Sequence, residues 1–197
     1  MSIDIISATL HLRSVTTMTQ SRDHGEPKLA GEGHEDYDLR TWRNKMHVQT
    51  IAGQRRVVVP AFGFACALAS AAKYSKRQIP GQGKATWTAK FKAGIMMLND
   101  PVLDGVDPDT VKNIRISANA DGMRGSGKRV PRYFPTFPEW SSVFEMKVID
   151  PIITEDVFRE MVEIAGLYIG LGQFRPENGG TNGRFSVEKI VWRDDRK

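Results

Sequence analysis

Only two stretches of this chain have the residue pattern of a core helix, and each lies between segments with the pattern of β-strands. Residues 60–74 open with Pro60, which is tolerated at the first helical position, and their small apolar residues form one stripe. Residues 155–165 follow Thr154, a capping residue, and carry acids in the first turn. The main strands are predicted at residues 3–13, 111–118, 142–149 and 184–192. This order predicts an α+β, ferredoxin-like antiparallel sheet with two helices on one face, as in an RNA-recognition motif.

Long polar segments interrupt this pattern at about residues 19–41, 75–110 and 119–140. The first of them has too few apolar residues to form a core element, so we predict a loop that is disordered or ordered only by a partner. A chain of 197 residues suits one domain, and we predict a single domain over residues 1–197 that carries these three insertions. Short strands are also predicted at residues 42–49, 55–59 and 167–171.

The overall charge favours a polyanionic partner. The chain has 28 Lys and Arg residues against 23 Asp and Glu residues, a formal net charge of +5. The first residues lack the pattern of a signal peptide and no apolar run reaches about 18 residues, so we expect a cytoplasmic protein without a membrane span. The one cysteine, Cys66, lies in an alanine-rich helical segment and is predicted to be a buried, inert thiol.

Two of the insertions are rich in cations that alternate with aromatic residues, a combination typical of proteins that bind single-stranded nucleic acid. The nucleic-acid-binding residues predicted in them are Lys76, Arg77, Lys84, Trp87, Lys90 and Lys92 in the second insertion and Arg124, Lys128, Arg129 and Arg132 in the third. The alternative is that Trp87 anchors its loop to the core while the lysines are simply solvated.

A glycine-rich segment precedes the last strand and adds a third candidate surface. It reads AGLYIGLGQFRPENGGTNGRFSVEKIVW over residues 165–192 and fits neither the dinucleotide-binding fingerprint nor a phosphate-binding loop of the GxxxxGK[ST] type. Its glycines allow backbone N–H groups to face phosphates, and its arginines supply charge. We predict binding by Gly172, Arg175, Gly183 and Arg184; the alternative is a flexible loop with solvated arginines.

The same segment resembles the glycine-rich loop of the RAMP superfamily, the RNA-binding proteins of CRISPR systems. The resemblance is nearest to the backbone subunits of effector complexes, which have a modified RNA-recognition-motif fold and polymerise along a guide RNA. It extends over roughly residues 1–15, 55–75 and 140–193. This chain is short for a backbone subunit, and its loop reads Gly-Gln-Phe-Arg-Pro rather than the family consensus. A stand-alone relative from a phage or another mobile element fits the resemblance as well as an effector subunit of antiviral defence does.

Signals of catalysis are weak. His24 and His34 lie near acidic residues but have no standard metal-ligand spacing, and no metal or other cofactor is predicted. His11 and His47 are the candidate acid–base residues if the chain is a metal-independent endoribonuclease of the same superfamily. Without a partner for either, we assign no catalytic residue and predict that the chain is not an enzyme.

These observations predict a non-catalytic protein that binds single-stranded nucleic acid largely independently of sequence. We predict RNA as the ligand, with single-stranded DNA as an alternative. The resemblance implies that protomers line up along the strand as a homo-oligomer or join CRISPR effector subunits. Two alternatives remain: the endoribonuclease, and a mobile-element protein that mimics a CRISPR backbone subunit through protein–protein contact.

Overall fold

The computed structural model describes residues 5–119, 127 and 129–194. In chain order the elements are β1 (Ile6–Ser14), β2 (Met18–Thr19), α1 (His34–Thr41), β3 (Val48–Ile51), β4 (Gln54–Val57), α2 (Ala61–Ser75), α3 (Thr88–Ala93), β5 (Ile95–Met97), β6 (Lys112–Asn119), β7 (Arg129–Phe137), β8 (Ser141–Val148), α4 (Glu155–Ile164) and β9 (Phe185–Asp194).

A four-stranded antiparallel sheet in the order β5-β8-β1-β9 forms the centre of the fold. The alternation of apolar and polar residues in β1 buries Ala8, Leu10 and Leu12 on one face, and Leu10 pairs across the sheet with Phe144 of β8. Two strands flank β1 directly, so the segment nearest the start of the chain lies in the middle of the sheet. The predicted α+β class with an antiparallel sheet is confirmed.

The helices cover the buried face of this sheet. In α2 the ring of Phe64 packs 4.4 Å from that of Phe144, centroid to centroid, and in α4 the ring of Phe158 lies 5.2 Å from that of Trp192 in β9. The hydroxyl of Thr154 caps α4 by accepting a hydrogen bond from the Val157 amide, as the sequence predicted. Both predicted helices are present, and α3, from the second insertion, adds a short third helix to the same layer.

One predicted core strand belongs to a different sheet. The segment predicted at 111–118 forms β6, which lies in a separate three-stranded sheet of order β2-β7-β6. The edge position of the central sheet is taken by β5, from the second insertion. This strand has only three residues, too few to show an alternating pattern.

The other new strand, β7, lies in the segment predicted as the third insertion. Its sequence contains Pro131 and Pro135, which argue against a strand because proline lacks the amide that a ladder needs. The structure tolerates them because β2 pairs only with Thr136 and Phe137, so most of β7 has one strand partner.

Two further segments differ from their predictions. Residues 167–171 do not form a strand: Ala165–Ile169 is a π-helical turn that continues α4 and ends at Gly170, where φ is +76°. In the segment 42–49, Trp42–Lys45 is a turn of 3-10 helix, and strand structure begins only at β3.

The first insertion is also more ordered than predicted. It contains α1, which packs against β7, and the chain that follows buries Trp42 and Met46 in the core. This part of the insertion therefore packs on the protein's own fold without a partner. Among the described residues, no helix is both long and apolar enough to cross a membrane.

Cys66 is exposed, which corrects the prediction of a buried thiol. Residue 66 lies about 200° around the helix from Phe64, at 100° per residue, so it faces away from the core that Phe64 fills. Phe62, on the same outer side of α2, is 78% exposed.

An accessible thiol has a direct chemical test. We expect Cys66 of the folded protein to react with a disulfide reagent such as DTNB at a rate close to that of the unfolded chain, because no packing shields its sulfur. The control is Cys66→Ser, which should release no thiolate signal. A thiol that reacts only after denaturant is added would contradict this orientation of α2.

Candidate nucleic-acid interface

The glycine-rich loop, here residues 170–184, is fastened to the chain segment that follows β1. The amide of Gln173 donates to the carbonyl of Thr19 at 2.7 Å, and the amide of Gly183 donates to the carbonyl of Thr17 at 2.8 Å. Val15 closes the same contact by donating its amide to the carbonyl of Arg184 at 2.9 Å. These bonds give the loop one defined position, in place of the flexible-loop alternative.

Close backbone packing accounts for the two glycines predicted to contact phosphate. A Cβ atom on Gly183, where φ is +78°, would lie 1.9 Å from the carbonyl oxygen of Leu171. A Cβ atom on Gly172 would lie 2.2 Å from the carbonyl oxygen of Thr19. Since the Gly183 amide is bonded within the protein, it is not directed at a ligand as predicted.

The two predicted arginines of the loop also bond to the protein itself. Arg184 donates from Nε to the carbonyl of Leu167 at 2.9 Å, which closes the end of the π-helical turn. Arg175 pairs through Nε with Glu177 at 2.9 Å and donates from Nη1 to the carbonyl of Gly172 at 3.3 Å. Both side chains therefore brace the loop, and their predicted contact with nucleic acid stays a prediction.

A groove of about 620 Å³ lies between this loop and the second sheet. One wall is the inner side of β6 and β7, and the other is formed by the loop from Gln173 to Gly180. Lys45, from the 3-10 turn after α1, also lines this space. We call this space the loop–sheet groove.

Cations concentrate on the sheet side of the loop–sheet groove. Arg129 is exposed at the start of β7 and donates from Nη2 to the carbonyl of Ser117 at 3.2 Å. Arg132 follows on the same strand, where its Nη1 lies 3.2 Å from Oδ1 of Asp38. Together with Lys45, these side chains place three cationic groups along one groove.

The carboxylate of Asp38 organises this wall. Asp38 is fully buried and accepts hydrogen bonds from Nζ of Lys45 at 2.7 and 2.8 Å, from Arg132 and from the backbone amide of Tyr133. Nζ of Lys45 also donates to the carbonyl of Tyr133 at 2.7 Å and lies 4.6 Å from the centre of the Phe134 ring. Burial lowers the pKa of the Lys45 ammonium, and its hydrogen bond with Asp38 opposes that shift.

The cations of the second insertion lie elsewhere. Arg77 pairs with Glu160 of α4, and Nζ of Lys90 lies 3.0 Å from Oδ2 of Asp150. Trp87 is only 3% exposed and packs in the core, so its ring does not face a ligand and the anchoring alternative is correct. No residue of the segment 76–92 lines the groove, so this part of the predicted continuous basic track is separate from the rest.

The remaining predicted residues divide into two groups. Lys76, Lys84 and Lys92 are exposed, and their contact with nucleic acid remains a prediction. Arg124 and Lys128 lie outside the described residues. Of the predicted set, the structure brings Arg129 and Arg132 into one groove with the glycine-rich loop.

The open face of the central sheet is polar and carries more cations than acids among the described residues. On β1 it presents Ser7, Thr9, His11 and Arg13, and the neighbouring strands add Met96, Val143, Glu145, Lys147, Lys189, Val191 and Arg193. None of these residues is a Phe, Tyr or Trp, whereas an RNA-recognition motif stacks bases on aromatic residues of its sheet. The described part of this face therefore lacks the means for that mode of binding.

The histidines lie apart from the loop–sheet groove. His11 is on the open face of the sheet, and His47 is half-buried, with a pKa lowered by that burial. No histidine is among the described residues that line the groove. Among the described residues, there is also no cluster of three His, Cys, Asp or Glu side chains placed to hold a metal ion.

Several groove residues were not predicted from the sequence. Lys45 and its partner Asp38, which lies behind the groove lining, are in segments without apolar periodicity, and Phe174 was not singled out. A signal was present for Phe174, because an aromatic residue interrupts an otherwise small and polar loop.

No protein-family model matches the chain, and no curated protein matches it significantly. Among solved structures it is similar to a chain of the Type III-B Cmr-beta structure bound to cognate target RNA, with 15% identity and a TM-score of 0.46 over 97% of this chain and 61% of that one. It is also similar to a chain of a CRISPR RNA-guided surveillance complex, with 13% identity and a TM-score of 0.45 over 98% and 71% of the two chains. Cmr6 from Pyrococcus furiosus gives 12% identity and a TM-score of 0.49 over 93% and 98%.

These neighbours are Cmr or CRISPR proteins. The chain spans only 61% of the length of the first of them. With TM-scores below 0.5, the likenesses carry no inference about what this chain binds.

The role of Asp38 can be measured by removing its charge at constant size. We expect Asp38→Asn to lower the free energy of unfolding by about 3–5 kcal/mol in urea denaturation, because Lys45 would stay buried without a carboxylate partner. The double variant with Lys45→Met removes both charges and should regain part of the loss.

The matched control is Asp36→Asn, an exposed acid on the same helix, which should change the free energy of unfolding by about 1 kcal/mol or less. If Asp38→Asn is as stable as the wild type, the carboxylate does not hold α1 against β7.

Proposed function

We propose that this chain binds single-stranded nucleic acid, RNA in preference to DNA, in the loop–sheet groove. The observation that carries the proposal is the position of Lys45, Arg129 and Arg132 in one groove with Phe174, which is half-buried. Basic grooves with aromatic side chains are the usual sites for single strands, since the cations follow the phosphates and every base has a face that can stack.

The cationic side chains that line the groove favour an anionic ligand. The single carboxylate of Asp38 contacts two cationic groups, those of Lys45 and Arg132. Arg129 is a further exposed cation of the groove, and one of its N–H groups donates to the carbonyl of Ser117. A guanidinium has five N–H donors and retains several for phosphate oxygens.

The proposed contacts, to phosphates and to the faces of bases, also determine how selective the binding is. Backbone charge and stacking carry little base information, so binding is largely independent of sequence and needs no catalysis. The exposed Lys76, Lys84 and Lys92 lie away from the groove and are available to a second part of the strand or to a neighbouring protomer. Assembly along a strand, alone or with CRISPR effector subunits, is part of the proposal.

Arg129 offers the cleanest test, since its loss leaves Asp38 and Lys45 paired. We expect Arg129→Ala to weaken binding of single-stranded RNA by about ten- to a hundredfold, the effect of losing one charge-assisted hydrogen bond. The slope of log affinity against log salt concentration should also fall by about 0.7. Fluorescence anisotropy with a labelled oligoribonucleotide measures both.

The matched control is Arg159→Ala, an exposed arginine of α4 that pairs with Glu155 and does not line the groove. Equal affinities for the two variants would place the binding site elsewhere. Recovery of intact RNA from the same samples in EDTA separates binding from the endoribonuclease alternative, which requires cleavage.

A further inference from the structure

Phe174 has a backbone conformation that residues with side chains rarely adopt. Its φ is +56°, in the left-handed region that favours glycine and asparagine. The loop holds it there: its carbonyl accepts a hydrogen bond from the Asn182 amide at 3.0 Å, and the preceding residue is bonded to Thr19. A phenylalanine at such a position has an energetic cost that a glycine would avoid.

The ring of Phe174 is not buried in return for this cost. It lies 5.0 Å from the ring of Phe134, centroid to centroid, at an interplanar angle of 89°. Phe134 is 6% exposed, whereas Phe174 is only half-buried and lines the loop–sheet groove. The edge-to-face contact thus fixes the orientation of the Phe174 ring while part of the ring stays open to the groove.

Amide side chains accompany the ring. Gln173 and Asn178 are both exposed and line the same groove. Each amide has a carbonyl acceptor and two N–H donors, the groups that can bond to the edge of an unpaired base. The cations on the opposite wall suit the phosphate of the same nucleotide.

We infer that Phe174 is the stacking platform for one unstacked base, with Gln173 and Asn178 at the base edge. This inference rests on the proposed function and assigns the part of the groove that takes a base and not a phosphate. On this inference, the unfavourable left-handed backbone of Phe174 is tolerated because it positions the ring for a base. The opposing explanation is that the ring only packs against Phe134 to hold the loop.

Phe174→Gly distinguishes these explanations, because it removes the ring and relieves the backbone at once. The probes are an oligouridylate and a ribose-phosphate strand of the same length without bases. We expect the wild-type chain to bind the oligouridylate about five- to a hundredfold tighter than the abasic strand. Phe174→Gly should lose this preference, bind the abasic strand like the wild type and melt no lower than the wild type.

Phe174→Leu gives a second readout if the glycine variant does not fold. It keeps an apolar contact with Phe134 but has no ring face, so it should also lose the preference, whereas Phe174→Tyr should keep it. Equal binding of both strands by the wild type would overturn the inference and leave the proposed function standing. A variant that melts several degrees lower but still prefers the oligouridylate would assign the ring a structural role. If neither strand binds, the proposed function itself fails.

Discussion

The position of α1 against the second sheet depends on the interactions of one buried carboxylate, that of Asp38. It joins α1 and the turn after it to β7, through Lys45, Arg132 and the Tyr133 amide. A buried charge without partners would cost several kcal/mol, so each partner is required by the others. Arg132 and Lys45 also line the loop–sheet groove. The interactions that fix α1 therefore also fix the positions of these two cations of the groove.

The opposite wall of the groove depends on packing of backbone against backbone. The glycine-rich loop lies against the segment from Val15 to Thr19, which leads from β1 into β2. The central sheet brings these two regions together, since β1 pairs with β9 immediately after the loop. The groove therefore combines segments from near both ends of the chain with strands from its middle, an arrangement that no single motif would display.

How much could be predicted from the sequence follows from these forces. The elements α2, α4, β1, β8 and β9 have apolar periodicity and were predicted close to their observed positions. Packing of α1 relies on ion pairs, β5 is too short for a pattern, and β7 contains prolines, so periodicity could not place them. The glycine-rich loop was singled out as a binding site, which stays a prediction; in the structure its glycines allow close packing and its arginines brace it.

Photocrosslinking tests the location of the ligand most directly. A single-stranded oligoribonucleotide containing 4-thiouridine is crosslinked to the intact protein, and the modified peptides are identified by mass spectrometry. The account predicts crosslinks within residues 129–134 and 173–180, which face each other across the groove. Crosslinks confined to the open face of the central sheet, at residues such as Thr9 or Val191, or to the segment 76–92, would contradict it.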